Sequence, residues 1–107
     1  MAPYSMEMVA AELMLTREEM KEICELYFAD AEKLIQECEV ASSRQDYVEA
    51  FKAAHALKGA AANLRMDTVA EGAQKIEELL QTRQTEEMAE LLYSLQQEIG
   101  RLKNACA

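Results

Sequence analysis

FKAAHALKGAAANL, residues 51–64, carries the strongest structural signal in the chain. Most of its residues favour helix, and small or apolar side chains recur every three or four positions, which is the spacing of a buried helical face. That face comprises Ala50, Ala54, Leu57, Ala61 and Leu64. At about 100° per residue, the only histidine, His55, lies roughly 140° from the centre of this face. The pattern predicts a helix from about Gln45 to Leu64 with His55 facing solvent.

The residues that follow His55 point to a chemical role. Lys58 and Gly59 come three and four positions later, so a helix brings a cation and a position without a side chain next to the imidazole. Glycine costs about 1 kcal/mol in a helix interior relative to alanine, which suggests that something approaches the backbone closely at Gly59. A neutral imidazole is a nucleophile and can carry a phosphoryl group on a ring nitrogen, with Lys58 offsetting part of the charge. The alternative is a surface histidine without a role.

The stretch His55-Ala56-Leu57-Lys58-Gly59-Ala60-Ala61-Ala62-Asn63-Leu64 resembles the signature of histidine-containing phosphotransfer (HPt) domains, the intermediates of multistep phosphorelays. The resemblance implies that His55 accepts a phosphoryl group from the phospho-aspartate of a receiver domain, or through a histidine kinase pathway, and passes it to another receiver. It makes Lys58 the cation beside the phosphate and Gly59 the gap for the receiver loop. It also implies that Glu77, on the next helix, hydrogen-bonds the ring nitrogen that is not phosphorylated. The alternative is that Glu77 is simply one of twenty acidic residues on a solvated surface.

The same resemblance implies the partners. They are response-regulator receiver domains and a hybrid histidine kinase. Around His55, a shallow docking surface is expected from Val48, Phe51, Gly59 and Ala62. No cofactor is expected on this chain, because the Mg²⁺ of the reaction would be bound by the partner receiver domain.

Arg65 departs from the family pattern, which usually has a second glycine directly after the position of Leu64. Arginine is a poor left-handed residue, so the turn is expected to be built by Asp67 and a capping box over Thr68-Val69-Ala70-Glu71. The bulk and charge of Arg65 also raise the question of whether partners dock in the usual manner.

Helical segments account for nearly the whole chain. Pro3 and Ser5 precede a brief apolar segment that ends near Leu15, and Thr16-Arg17-Glu18-Glu19 is a capping box. Four longer segments follow. Polar breaks at Ser42 and Ser43 and at residues 82–85 separate the first from the second and the third from the fourth, and the third begins after Asp67. Besides the face described above, the predicted buried positions are Met20, Cys24, Tyr27, Ala31, Leu34, Cys38, Val69, Ala73, Ile76, Leu80, Met88, Leu91, Leu92, Leu95, Ile99 and Leu102. Short connections favour antiparallel neighbours, so the predicted fold is all-α, an antiparallel up-down four-helix bundle with a short extra N-terminal helix.

Composition limits the other possibilities. The chain has 107 residues and a formal net charge of −9, which suits one HPt-like domain over 1–107 and argues against nucleic acid or an anionic membrane as partner. It has no apolar run near the roughly 20 residues needed to span a bilayer and no signal peptide, so a cytoplasmic location is expected. Cys24, Cys38 and Cys106 form no CxxC pair and are expected to be structural thiols rather than disulfides or zinc ligands.

Competing functions are ranked by the residues that they need. A haem or di-iron bundle needs several inward-facing ligands, and neither a Walker loop nor a kinase glycine loop is present. The chain is therefore expected to carry phosphate without hydrolysing ATP, and whether it counts as an enzyme stays open. Two alternatives to a phosphorelay intermediate remain. One is a non-phosphorylated adaptor that binds a receiver or kinase. The other is the phosphoacceptor domain of a chemotaxis-type kinase, although a chain ending at Ala107 favours a stand-alone carrier.

Overall fold

The computed structural model describes residues 3–107, and within them the chain forms five α-helices and no strand. The first two residues of the predicted 1–107 domain lie outside the described range. The helices are α1 (Met6–Glu12), α2 (Arg17–Ser43), α3 (Tyr47–Asn63), α4 (Asp67–Gln81) and α5 (Met88–Ala105).

Helices α2 to α5 form the bundle. Each packs against the next along the chain, and α2 also packs against α5, which closes a ring of four. Helix α1 packs on α2. Because consecutive helices are joined by short turns and are neighbours in the ring, the chain runs up and down. The predicted all-α helical bundle with a short extra N-terminal helix is confirmed.

The core is built from the predicted helical faces, with differences in α2, α3 and α5, and in α3 the unpredicted Ala53 is also buried. Leu34 and Leu91 are only half-buried, whereas Phe28 and Ile35, which the predicted α2 face omitted, are buried. Helix α2 contacts α1, α3 and α5, so its apolar face must be wider than the single seam that was predicted.

Side-chain caps explain three of the helix starts, and at α1 the Ser5 hydroxyl accepts from the Met8 N–H at 3.2 Å. The predicted capping box of α2 is confirmed, with the Thr16 hydroxyl accepting from the Glu19 N–H at 3.1 Å and the Glu19 carboxylate accepting from the Thr16 N–H at 2.8 Å. Asp46 caps α3 by accepting from the Glu49 N–H at 3.2 Å. The capping box predicted over residues 68–71 is wrong. Helix α4 already begins at Asp67, so Thr68 lies within its first turn, where its hydroxyl donates to Glu98 instead.

One turn motif ends each of the first four helices. Met14, Gln45, Arg65 and Arg83 follow those helices with φ of 59°, 60°, 60° and 57°, all in the left-handed region. After α3, the Arg65 N–H donates to the Ala62 carbonyl at 3.1 Å and the Met66 N–H to the Ala61 carbonyl at 2.9 Å, the two bonds of a Schellman motif. The expectation that Arg65 would avoid this conformation is therefore wrong, because these hydrogen bonds hold it there.

Candidate functional site

His55 lies near the middle of α3 on the face that points away from the core. The residues of the opposite face, Ala50, Ala54, Leu57, Ala61 and Leu64, are all buried against the rest of the bundle. The His55 side chain keeps 65% of its accessible surface. The helix therefore presents the imidazole to solvent, as its position relative to the apolar face predicts.

Glu77 meets this imidazole from α4. Its carboxylate Oε2 lies 2.7 Å from His55 Nδ1, and its Oε1 accepts from Lys58 Nζ at 2.6 Å. Glu77 is the one charged residue that is buried among the residues described, with 8% of its side chain exposed. The packing of α3 on α4 thus places one buried carboxylate between two side chains of the neighbouring helix.

The charge state of Glu77 decides which ring nitrogen of His55 is protonated. Burial by itself raises the pKa of this carboxyl, but hydrogen bonds from Lys58 and His55 and their charges outweigh burial, so the pKa lies below its ordinary value. The group is consequently ionised at neutral pH and can only accept hydrogen bonds. His55 Nδ1 must then carry a proton, and in the neutral ring the free lone pair is on Nε2.

Lys58 lies one helical turn beyond His55, with 27% of its side chain exposed. Its ammonium is bound to the Glu77 carboxylate, so in this structure it neutralises the buried charge of α4. The resemblance had given Lys58 the task of neutralising a phosphate, and the sequence carried no sign that it shares a carboxylate with His55.

The predicted docking residues surround the imidazole. The Phe51 ring lies almost parallel to the His55 ring, with 11° between the planes and 6.0 Å between the centroids. Val48 and Ala62 are exposed. A Cβ at Gly59 would meet no other atom within 4 Å, so the space outside this backbone position is open. The result is a shallow, mostly apolar surface.

Two further apolar side chains next to this surface were not predicted. Ile23 and Leu26 of α2 are exposed, Leu26 to 65%, and they border the same shallow hollow as Ala60 and Leu64 of α3. The signal in the sequence was weak, since these two residues only flank the α2 seam. On the α4 side of α3, the Arg83 guanidinium lies 4.8 Å from the centre of the Tyr47 ring.

Arg65 is engaged by α1 and by its own helix. Its Nε lies 3.3 Å from Glu12 Oε2, and its Nη1 donates to the Asn63 carbonyl at 3.0 Å. The Tyr4 hydroxyl donates to the Leu64 carbonyl at 2.9 Å. The N-terminal segment therefore covers the end of the site helix at two points.

Comparison with models of protein families gave a match over most of the chain. A model of the Hpt domain matches residues 22–105, a range that contains all of α3, α4 and α5. Searches of curated proteins and of solved structures found no match. None of the described helices is both long and apolar enough to cross a bilayer.

Proposed function

This chain belongs to the Hpt domain family, whose members take part in phosphotransfer in phosphorelay signalling, and we propose that it carries the phosphoryl group on His55. The observation that carries the proposal is the 2.7 Å contact between Glu77 and Nδ1 of an exposed histidine, because it leaves Nε2 as the nucleophile. The donor and the acceptor would be the phospho-aspartates of receiver domains, with a hybrid histidine kinase as a further partner.

The proposed transfer is a single displacement at phosphorus. The Nε2 lone pair of His55 attacks the phosphorus of the partner's acyl phosphate, an N–P bond forms, the P–O bond to the aspartyl carboxyl breaks, and a free carboxylate leaves. The proton on Nδ1 stays in place, so the phosphorylated ring is cationic and is stabilised by the Glu77 carboxylate. The reverse of these steps on a second receiver returns His55 to its starting state. Mg²⁺ held by the receiver would supply most of the remaining charge neutralisation.

Lys58 has a defined part in this proposal. Phosphorylation places about two negative charges next to an ammonium that is already paired with Glu77. With 27% of its side chain exposed, Lys58 can turn from the carboxylate towards a phosphoryl oxygen without crossing the core. Glu77 then remains paired with the cationic ring, and Lys58 offsets part of the phosphoryl charge.

The docking surface of the proposal is formed by Val48, Phe51, Gly59 and Ala62, extended on α2 by Ile23 and Leu26. It is shallow and largely apolar, which suits a partner whose active-site loops must bring phosphorus to the exposed ring. Gly59 permits the closest approach, since its Cα faces open space.

The experiment that tests the proposal measures transfer of labelled phosphate from a panel of phosphorylated receiver domains to the wild type and to His55→Gln. Mg²⁺ is present during the reaction, and the quench is alkaline because phosphohistidine is labile in acid. We expect label on the wild type alone, with His55→Gln equally stable towards unfolding. Absence of label from every receiver, in a protein shown to be folded, would favour the adaptor function.

Two glycines make a matched test of the docking surface. Gly59 and Gly100 are both exposed within helices, and a Cβ at either position meets nothing within 4 Å. Both Gly59→Ala and Gly100→Ala should therefore stabilise the fold, by up to about 1 kcal/mol each. Only Gly59→Ala should slow transfer from a receiver, by about tenfold. Phosphoramidate, which is too small to need the docking surface, should label both variants like the wild type. Equal transfer rates from the receiver would remove Gly59 from the interface.

A further inference from the structure

Two cysteines that are far apart in the sequence meet at one end of the bundle. Cys24 lies in the first half of α2, and Cys106 is the residue that caps the end of α5. Both are buried free thiols, and both line a small surface pocket between these two helices. Beside the pocket, Lys103 Nζ of α5 donates to Glu32 Oε1 of α2 at 3.0 Å, which shows how closely the two helices approach there.

The two thiols are neighbours in the folded chain. The Cys24 and Cys106 side chains line the same pocket, and each is close enough to shift the pKa of the other. Burial raises the pKa of Cys24, while the neighbouring Cys106 and Tyr4 act in the opposite direction. Burial, together with the neighbouring Cys24, raises the pKa of Cys106 to about 11. Either thiolate, once formed, has the other thiol next to its sulfur.

We propose that Cys24 and Cys106 form an oxidisable dithiol, which hydrogen peroxide converts into an intramolecular disulfide joining α2 to the end of α5. The two thiols are neighbours only in the folded chain, because more than eighty positions separate them in the sequence. The expectation of purely structural thiols then holds for Cys38 alone. Cys38 lies fourteen residues beyond Cys24 on α2, about 21 Å along the helix axis.

The oxidation balances with the peroxide as the only other reactant. The Cys24 thiolate attacks one peroxide oxygen, an S–O bond forms, the O–O bond breaks, and water leaves after taking up a proton. Cys106 then attacks the sulfur of this sulfenic acid, an S–S bond forms, the S–O bond breaks, and a second water carries away the proton of Cys106. The two thiols supply two electrons, and the peroxide accepts both.

The position of Cys106 gives the peroxide a route to the pair. A cap residue follows the last turn of a helix, where carbonyls lack intrahelical partners, and such ends open locally at low cost. Movement of this turn exposes both sulfurs at the pocket without opening the rest of the bundle. Cys38 lies in the interior of α2, where the same exposure requires separating packed helices.

Tryptic mapping tests the proposal directly, because cleavage after lysine and arginine puts each cysteine on a different peptide. These peptides are 22–33 for Cys24, 34–44 for Cys38 and 104–107 for Cys106. The folded protein is treated with hydrogen peroxide, alkylated after denaturation, and its monomer is isolated without reductant before digestion. We expect peptide 22–33 joined to peptide 104–107, lighter by two hydrogen atoms than the two thiol peptides together, with Cys38 alkylated. Recovery of both peptides as separate alkylated species, or a link present only in a dimer, would overturn the proposal.

Thermal unfolding with and without reductant gives a second readout. Closing a loop of about 80 residues should raise the unfolding midpoint of the peroxide-treated protein by roughly 10 °C or more. Reductant should reverse this shift. Cys38→Ala is the matched control and should keep the shift, whereas Cys106→Ser should unfold at the same temperature in both conditions. A shift that persists in Cys106→Ser would also contradict the proposal.

Discussion

Replacing Glu77 by glutamine should change the tautomer of His55 as well as the stability of the bundle. The carboxylate now accepts from two donors, His55 Nδ1 at 2.7 Å and Lys58 Nζ at 2.6 Å. A glutamine has the same shape but only one acceptor oxygen. The charged Lys58 is the stronger donor and should keep that oxygen, which turns the amide NH₂ towards Nδ1. The ring must then accept at Nδ1 and carry its proton on Nε2, the nitrogen proposed to attack phosphorus.

The size of the effect follows from the exposure of the three side chains. A charge-assisted hydrogen bond contributes about 1.5–3 kcal/mol, but His55 and Lys58 both reach water and can replace the lost bond with solvent. We therefore expect Glu77→Gln to lower the free energy of unfolding by about 1–2 kcal/mol. Transfer should slow by about ten- to a hundredfold, as is typical when the group that orients a histidine is removed.

The sign of the pH dependence is fixed by the lowered pKa of Glu77. A carboxyl whose pKa is lowered by folding stabilises the fold above its ordinary pKa, and the stabilisation is lost as pH falls through the lowered value. The difference in the free energy of unfolding between the wild type and Glu77→Gln should therefore be largest at neutral pH and should disappear in acid. A gap that widened on acidification would contradict the assigned ion pairs.

Nitrogen-15 NMR gives the decisive readout, because the chain has one histidine and its ring signals have a single source. The wild type should show the proton on Nδ1, and Glu77→Gln should show it on Nε2. The matched control is Glu78→Gln, which removes the same charge from an exposed neighbour on α4 and should change stability by no more than about 0.5 kcal/mol. If Glu77→Gln kept the Nδ1 proton and the wild-type stability, the assigned role of Glu77 would be refuted.

Three further predictions concern the bundle. Gln45→Gly should raise the free energy of unfolding by about 0.5–1 kcal/mol in urea titrations, since glycine adopts φ of 60° without strain. Arg65→Gly should raise the free energy of unfolding by less, because this variant also loses the ion pair of Arg65 with α1. An equal rise in both variants would show that this ion pair contributes nothing to stability. Gly72→Ala should have a free energy of unfolding about 1 kcal/mol or more below that of Gly59→Ala, because its Cβ would lie 2.6 Å from a methyl group of the buried Leu95, whereas a Cβ at Gly59 meets nothing. Equal thermal unfolding midpoints of the two variants would disprove the close contact. The arginine one turn beyond Glu98 lowers the pKa of the Glu98 carboxyl. At neutral pH, Glu98→Gln should therefore have a free energy of unfolding about 1 kcal/mol below that of the wild type, and this difference should disappear in acid. A difference that stayed constant with pH would contradict the assigned ion pair.

The fold was predictable because the relevant signals are local. Three- and four-residue spacing of apolar positions marks each helix, and Thr16 with Glu19 marks the start of α2 by residue type alone. The turns were harder. A residue with left-handed backbone conformation is normally predicted where the sequence has glycine, yet Gln45 and Arg65 occupy such positions. The Schellman hydrogen bonds offset the cost of this conformation, which is about 1–2 kcal/mol for a residue with a side chain. A rule based on residue type cannot detect a conformation that the neighbouring backbone imposes.

For the site as well, the features that depend on one helix could be predicted from the sequence, and those that depend on the packing of two helices could not. The exposure of His55 and its proximity to Lys58 follow from one helix and could be predicted from spacing. That Glu77 is buried and bonded to both depends on how α4 packs on α3, and the sequence offered only a family resemblance for it. The proximity of Cys24 and Cys106 depends on how α5 packs on α2, and the sequence of neither segment predicts it.

The distribution of charge among the helices bears on how a phosphate-bearing partner would approach in the proposed transfer. Helix α2 carries eight acidic and three basic residues, whereas α3 carries Lys52 and Lys58 against Glu49 alone and is the one helix among the five described with a net positive charge. The net charge of −9 therefore comes from helices other than the one that carries His55. In the proposed transfer, a partner that presents a negatively charged phosphoryl group would be repelled by the acidic helices and weakly attracted by α3, which favours an approach that brings phosphorus to Nε2.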